Sequence, residues 1–277
     1  MIEKNISVIG AGHIGCALLE GLLKGRSILG ERLMLANPHL GKLRKYQIKY
    51  KVKLTANNIQ AARWADILII AVRPKIVKSV ASEIRKYIKK NKLIISTAAC
   101  VTLDLLEKYF TSDQFKIVRI MPNIPVMYNM GVVGWAGNKR VGIKEKKLIE
   151  NLLKPLGVVV ECKSEEELDR IDIISGCGPA ISAYLIRSFG KTAEKYGFSE
   201  KEGRLMAHHV FAGTIHHLQH TNITTEDLIM AVATKGGITE EVIKSLELGS
   251  FPKLLAKSFD RGYAKIEKIT DELRQEV

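Results

Sequence analysis

The stretch Asn5-Ile6-Ser7-Val8-Ile9-Gly10-Ala11-Gly12-His13-Ile14-Gly15 decides the fold of this chain. Asn5 to Ile9 reads as a short apolar strand, and the residues that follow, through Leu23, repeat apolar side chains at helical period. Between strand and helix lies a G-x-G-x-x-G turn, and each glycine has a physical reason to be there. Gly10 permits the sharp bend, Gly12 lets a pyrophosphate approach the backbone, and Gly15 lets helix and strand pack closely. The helix N-terminus offers unpaired N–H donors to the phosphates. A glycine turn without a ligand is the competing reading. The position of this turn, directly after a strand and opening a helix, favours a dinucleotide loop.

Working outward, further strands are predicted at Leu33 to Ala36, Ile67 to Val72, Leu93 to Ser96, Lys116 to Ile120 and Val158 to Val160, with helical stretches such as Ile76 to Ile88 between them. Strands alternating with helices imply parallel βαβ units. Right-handed crossovers build these into a doubly wound Rossmann-type α/β sheet whose ligand crevice lies at the carboxyl ends of the strands. After about Glu161 strand signals vanish, and helical periods run over Pro179 to Tyr196, Glu200 to His220, Thr225 to Ala233, Glu240 to Leu248 and Lys253 to Glu276. The expected division is a dinucleotide-binding domain over 1–162 and an all-α substrate and dimerisation domain over 163–277. Several of these helices are apolar on more than one face, so a packed or helix-swapped homodimer is expected.

The 277 residues carry a formal net charge of +14, divided unevenly: 28 Lys and Arg face 11 Asp and Glu over 1–162, against 15 and 18 over 163–277. The excess gathers in Lys42 to Lys53, Arg85 to Lys92 and Lys139 to Lys147, and reads as a solvated basic face beside anionic small ligands. No interleaved aromatic platform accompanies it, which argues against nucleic acid. Cys16, Cys100, Cys162 and Cys177 form no C-x-x-C pair, so neither a zinc site nor a disulfide framework is expected. With no leader pattern and no apolar run of membrane-spanning length, a soluble, cytoplasmic protein without membrane contact is expected.

Where an NAD site usually carries Asp or Glu after the second strand, this chain has Asn37. A carboxylate would repel the 2′-phosphate of NADP, whereas Asn37 with His39, Lys42 and Arg44 accepts it, so the chemistry leans to NADPH, with NADH possible. The competing reading is that Asn37 only starts the turn before Pro38. Gly236-Gly237-Ile238-Thr239 precedes the helix Glu240 to Leu248, so its N–H groups and the Thr239 hydroxyl form a plausible carboxylate site, or an ordinary helix cap. Gly176 and Gly178 bracket Cys177 before Pro179, allowing either ligand approach or close helix packing. Cys177 has no partner base in sequence and reads as a small packing residue. His216 and His220 share a helix face at metal-site spacing, yet no Glu accompanies them; no metal is expected.

Ala71-Val72-Arg73-Pro74, Arg119-Ile120-Met121-Pro122-Asn123-Ile124-Pro125, Ser175-Gly176-Cys177-Gly178-Pro179-Ala180 and Lys235-Gly236-Gly237-Ile238-Thr239 stand in an order and spacing that resembles the pyrroline-5-carboxylate reductases, from the glycine loop to about Leu248. The resemblance implies a Rossmann domain for NADPH, a helical dimerisation domain, and a homodimer that can assemble into a pentamer of dimers. By that likeness Gly10, Ala11, Gly12, His13, Ile14, Gly15, Asn37, Asn58, Ala71, Val72, Arg73, Pro74, Thr97, Ala98 and Ala99 fall at cofactor-contacting positions. The candidates for a small cyclic imine carboxylate are Asn123, Cys177, Thr234, Gly236, Gly237, Ile238 and Thr239, with Thr239 the candidate catalytic residue.

The implied reaction is hydride transfer from NADPH to C5 of 1-pyrroline-5-carboxylate, giving proline. A protonated imine is already electrophilic, which fits the lack of an evident acid–base dyad. The chain departs from the family pattern at five positions: the family usually has Lys at Arg73, Gly at Cys100, Ser at Cys177, Pro at Lys235 and a small residue at Ile238. Two other readings follow from these departures: a diverged paralogue with a regulatory or binding role, and a reductase of another cyclic imine or 2-hydroxy acid.

Overall fold

The computed structural model describes residues 1–89, 92–111 and 114–276, so Lys90, within the basic run Arg85 to Lys92, lies outside the described residues. The strands are β1 (Ile6–Ile9), β2 (Leu33–Ala36), β3 (Lys53–Thr55), β4 (Ile67–Ile70), β5 (Leu93–Ser96), β6 (Lys116–Pro122), β7 (Gly131–Gly137) and β8 (Gly157–Glu161). The helices of this part are α1 (His13–Lys24), α2 (Arg44–Tyr50), α3 (Asn58–Trp64), α4 (Pro74–Ile84), α5 (Leu103–Tyr109), α6 (Ile143–Leu153) and α7 (Glu165–Ile171). They are followed by α8 (Cys177–Lys195), α9 (Glu200–His220), α10 (Thr225–Val232), α11 (Ile238–Leu248) and α12 (Phe251–Gln275). The chain divides into two compact units: residues 1–177 with 262–277, and residues 178–261.

In the first unit the sheet order is β3-β2-β1-β4-β5-β6-β7-β8. Every residue of β1, β2, β4 and β5 is buried, as short, mostly aliphatic strands are when helices cover both faces of a parallel sheet. One apolar layer joins α1 and α6 to the sheet around Leu18, Leu22, Ile149 and Trp135; the opposite layer joins α3, α4 and α5 around Ala61, Val77, Leu105 and Phe110, and the last turns of α12 add Leu273. The parallel pattern has one interruption that the residue pattern did not announce: β7 runs antiparallel to β6, pairing Val118 with Gly137 and Pro122 with Val133. Its glycines hide it from a strand pattern but serve packing. A side chain at Gly134 would come within 2.9 Å of Leu168 and 3.0 Å of Ile171 on α7.

β4 ends at Ile70 rather than at the expected Val72, because Ala71 leaves the ladder to meet the glycine bend, its N–H bonding the Ile9 carbonyl at 2.8 Å. Cys100, one of the five departures from the resembling pattern, is buried at φ +66°, a left-handed conformation that costs a side-chain-bearing residue about 1–2 kcal/mol.

The second unit is wholly helical. Its helices bury little of themselves: Gly190 on α8, Gly203 and Ala207 on α9, and nothing on α10 or α11 fall in the buried class. Tyr184, Phe189, Val210, Ile229 and Met230 stand exposed in the single chain. No helix among the described residues is long and apolar enough to cross a membrane.

A tight joint in the sheet unit lies where α1 follows the bend after β1: a side chain at Gly15 would stand 2.0 Å from the Gly10 carbonyl oxygen. Gly15→Ala must therefore push α1 off the strand, and urea denaturation should show a loss of about 1–3 kcal/mol; an unchanged midpoint would contradict this packing.

Candidate functional site

The carboxyl ends of the four central strands finish level. Ala36, Ile9, Ile70 and Ser96 pair across neighbouring strands, so the next residues, Asn37, Gly10, Ala71 and Thr97, form one row along the sheet edge. The chain leaves β1 towards β2 on one side, while β4 lies on the other, and the crevice of a doubly wound sheet opens at such a switch. Four of the sequence-predicted cofactor positions, Gly10, Asn37, Ala71 and Thr97, thus share one edge although they lie far apart in the chain.

Gly10 turns at φ +103°, and a Cβ there would lie 2.4 Å from the Ala71 carbonyl oxygen. Gly12 is different: a Cβ on it would meet nothing within 4 Å. Packing does not require glycine at position 12, so the open cradle is the feature that fits a phosphate group. Gly12 caps α1 with no side-chain hydrogen bond and no acidic residue follows in the first turn, which leaves the N–H groups of His13, Ile14 and Gly15 and the positive helix end for an anion.

Asn37 orients the loop from the end of β2. Its Oδ1 accepts from the Ala11 N–H at 3.3 Å and its Nδ2 donates to the His39 carbonyl at 3.0 Å. Lys42 and Arg44 stand exposed a few residues on, with no carboxylate beside them among the described residues. Arg73 caps α4 and Pro74 occupies its first turn, where a missing N–H costs nothing. The Thr97 N–H donates to the Ile70 carbonyl at 3.0 Å; Ala98 is buried, and Ala99 packs at the edge of the core. Asn58 engages α4, its Nδ2 donating to Glu83 Oε2 at 2.9 Å.

Of the substrate candidates, Asn123 follows β6 and is 8% exposed. Its Oδ1 accepts from the Val132 N–H at 2.9 Å and its Nδ2 donates to the Ser175 carbonyl at 3.1 Å, so the side chain clamps the β6–β7 connection to the turn Asp172–Gly176. Cys177 is exposed at the start of α8, and burial of its sulfur followed by the Asp172 charge pushes the thiol pKa up, the reverse of an activated nucleophile.

In the helical unit Gly237 caps α11, which begins at Ile238, two residues earlier than the sequence pattern suggests. The Gly237 N–H is spent on the Thr234 carbonyl at 2.8 Å, and Glu240 Oε2 accepts from the Gly236 N–H at 2.7 Å. Ile238, at the first helical position, has no intrahelical acceptor for its N–H, and Thr239 is half-buried beside it. The Ile238 side chain is 88% exposed, so its bulk does not crowd the turn. The rings of His216 and His220 lie 4.0 Å apart and His220 Nδ1 lies 2.8 Å from the His216 carbonyl; among the described residues no third metal-type ligand joins them.

A second polar cluster had escaped sequence reasoning. Arg119 on β6 is 0% exposed; its Nη1 donates to Glu165 Oε1 at 2.6 Å and its Nη2 to Asp169 Oδ1 at 3.0 Å. Burial raises the Asp169 pKa against the pull of Arg119, and burial, then Asp169, pushes Asp172 up to about 6. The available signal was an arginine inside an apolar strand together with acids at i, i+4 and i+7 from Glu165, one face of a helix.

Comparison with known proteins agrees with this geometry. Residues 5–100 match the family model described as NADP oxidoreductase coenzyme F420-dependent, and residues 165–269 match the one described as pyrroline-5-carboxylate reductase dimerisation. The solved pyrroline-5-carboxylate reductase of Coxiella burnetii is 30% identical, with a TM-score of 0.84 over 98% of this chain and 99% of that one. The pyrroline carboxylate reductase of Plasmodium falciparum, solved with NADP bound, superposes with a TM-score of 0.87 at 26% identity, covering 98% and 99% of the two chains. The pyrroline-5-carboxylate reductase of Escherichia coli is 28% identical over 269 residues, 97% of this chain and 99% of its own.

Because a methyl at Gly12 meets no protein atom, Gly12→Ala should leave the denaturation midpoint near wild type while weakening dinucleotide binding, measured by fluorescence titration, about tenfold or more; unchanged affinity would remove the cradle from the site. Asp172 holds its proton more tightly when folded than when unfolded. Its contribution to stability is therefore full below about pH 4 and is lost as the pH rises through about 6. Asp172→Asn should raise the urea midpoint at pH 8 and leave it unchanged at pH 3.5; a constant difference across that window would refute the assignment.

Proposed function

The chain belongs to the pyrroline-5-carboxylate reductase family, and on that premise we propose that it reduces 1-pyrroline-5-carboxylate to proline with NADPH as the electron donor. It is an oxidoreductase, and its cofactor is NAD(P)H. The single observation that carries the reading is the open cradle at Gly12 on the uncapped end of α1, level with Asn37, Ala71 and Thr97. A bound nicotinamide supplies the hydride and both electrons.

The chain's own groups do the rest. Gly10 to Gly15 seat the pyrophosphate. Asn37 holds the Ala11 N–H in place, and the exposed Lys42 and Arg44 take up a 2′-phosphate, which favours NADPH over NADH. Thr97 to Ala99 and Ala71 to Pro74 line the rest of the crevice. In the helical unit the Ile238 N–H takes the substrate carboxylate, and the Thr239 hydroxyl makes a hydrogen bond to the ring nitrogen. Asn123, Cys177, Thr234, Gly236 and Gly237 shape the backbone around that ring. An iminium needs orientation and exclusion of water more than it needs a general acid, in keeping with the absence of a nucleophile–base pair at Cys177.

In this reading residues 1–162 bind the dinucleotide, and residues 163–277 bind the imine and a second copy of the chain. The apolar faces of α8 to α11 support a cytoplasmic homodimer, and five dimers can associate further.

The test is NADPH oxidation with pyrroline-5-carboxylate, piperideine-6-carboxylate and pyrroline-2-carboxylate. The first should turn over fastest; tight dinucleotide binding with no turnover of any of them would point instead to a binding protein. Thr239→Ala should lower kcat/KM for pyrroline-5-carboxylate about tenfold to a hundredfold, as loss of one hydrogen bond to a reacting group does, with NADPH affinity nearly intact. Unchanged turnover would take Thr239 out of the reaction.

A further inference from the structure

At the amino-terminal edge of the same sheet, Ile67, Leu93 and Lys116, the first residues of β4, β5 and β6, rim a hollow of about 360 Å³. It lies a strand's length from the glycine loop, roughly 13 Å for four residues. Five cations line it, Lys4, Arg63, Lys89, Lys92 and Lys116, against two carboxylates, Asp66 and Glu145.

Four of those seven charges are already engaged, and they do not cancel the rest. Lys116 is paired with Glu145 at 2.5 Å, and the Arg63 guanidinium lies over the Tyr87 ring, 4.5 Å from its centre. Asp66 accepts from the Asn5 N–H at 2.9 Å. Lys4 and Lys89 make no ion pair among the described residues.

Lys92 is the distinctive member. The run Arg85 to Lys92 was expected to form a solvated face, yet Lys92 is 5% exposed. Its Nζ donates to the carbonyls of Ala62 and Arg63 at the end of α3, at 2.6 and 2.8 Å, and its third N–H has no acceptor among the described residues. Burial lowers its pKa, Asp66 opposes that shift, and Lys89 adds to it. Three ammonium groups without a partner carboxylate around one polar hollow repel each other, and a buried charge is costly until it is neutralised. A multivalent anion removes both penalties. The hollow exceeds the volume of one water many times over, so it suits an anion of several atoms.

We propose that this hollow is a second ligand site, distinct from the dinucleotide crevice, that binds a small phosphate-bearing anion through Lys4, Lys89 and Lys92. A single carboxylate would leave most of the positive charge unmatched, whereas a phosphate or diphosphate accepts from all three ammonium groups.

The test is calorimetric titration of the full-length chain with inorganic pyrophosphate, phosphate, adenosine monophosphate and citrate, with chloride holding ionic strength constant. Pyrophosphate should bind the wild-type chain and raise its Tm. In K4Q/K89Q the affinity should fall about tenfold or more, with the Tm of the unliganded protein unchanged, and Lys92→Met should abolish binding. Because K4Q/K89Q leaves the buried ammonium in place, it keeps the test decisive even if Lys92→Met fails to fold. Adenosine monophosphate binding more tightly than phosphate, and losing affinity in the same double variant, would assign the site to organic phosphates; equal affinity would assign it to the inorganic ion. Equal pyrophosphate affinity in wild type and K4Q/K89Q would overturn the proposal, as would a Tm rise reproduced by chloride alone or binding of citrate without either phosphate.

Discussion

The close approach of the Gly10 carbonyl to the α-carbon of Gly15 is the constraint on which the carboxyl edge of the sheet depends. With no room for even a methyl group, α1 lies directly on β1, and the helix end is brought level with the last residues of β2, β4 and β5. Everything that gathers at that edge depends on this approach. Asn37 reaches the Ala11 N–H because the bend is tight, and Ala71 meets Ile9 because Gly10 has no side chain to displace it. The same backbone that would clash with a β-carbon at positions 10 and 15 leaves position 12 facing empty space. One loop thus carries two opposite demands, close packing and open access, separated by two residues.

A second fixed point is the Arg119 guanidinium, enclosed between β6 and α7. Its Nε has no partner among the described residues, while its two Nη atoms bridge Glu165 and Asp169, and Glu165 also accepts from the Leu103 N–H at 2.8 Å. A pair this enclosed is rarely the cheapest way to hold a helix on a sheet, since well-packed apolar side chains do it at no desolvation cost. What it provides is a unique arrangement: α7 cannot slide by a turn without leaving a buried charge alone. The adjoining turn Asp172–Gly176 is tied to the end of β6 through Asn123.

The parts of the fold that are legible in the residues are those governed by near neighbours. The glycine loop, the four buried aliphatic strands and the amphipathic helices announce themselves because their periodicity lies within a dozen residues. β7 does not, because glycines demanded by close packing, Gly131 against Val126, Gly134 against α7 and Gly137 against Val141, interrupt its apolar alternation. The Met-Pro-Asn segment was visible as a motif, yet its asparagine turns out to spend both ends of its amide on Val132 and Ser175, partners 9 and 52 residues away. Lys92 reads as one more member of a basic run, and only the fold shows it buried under α3. The turn at Gly237 was found from its cap pattern, but the use of its N–H by Thr234 depends on local geometry that composition does not encode.

The helices of residues 178–261 leave Tyr184, Phe189, Val210 and Ile229 in water. For a lone copy, the hydrophobic contribution to folding in this region is therefore small, and under the proposed homodimer the missing share comes from apolar contact with a second copy. Folding of this half and association then become one equilibrium, with a midpoint that moves with the amount of protein present. Dilution acts on such a chain as a mild denaturant.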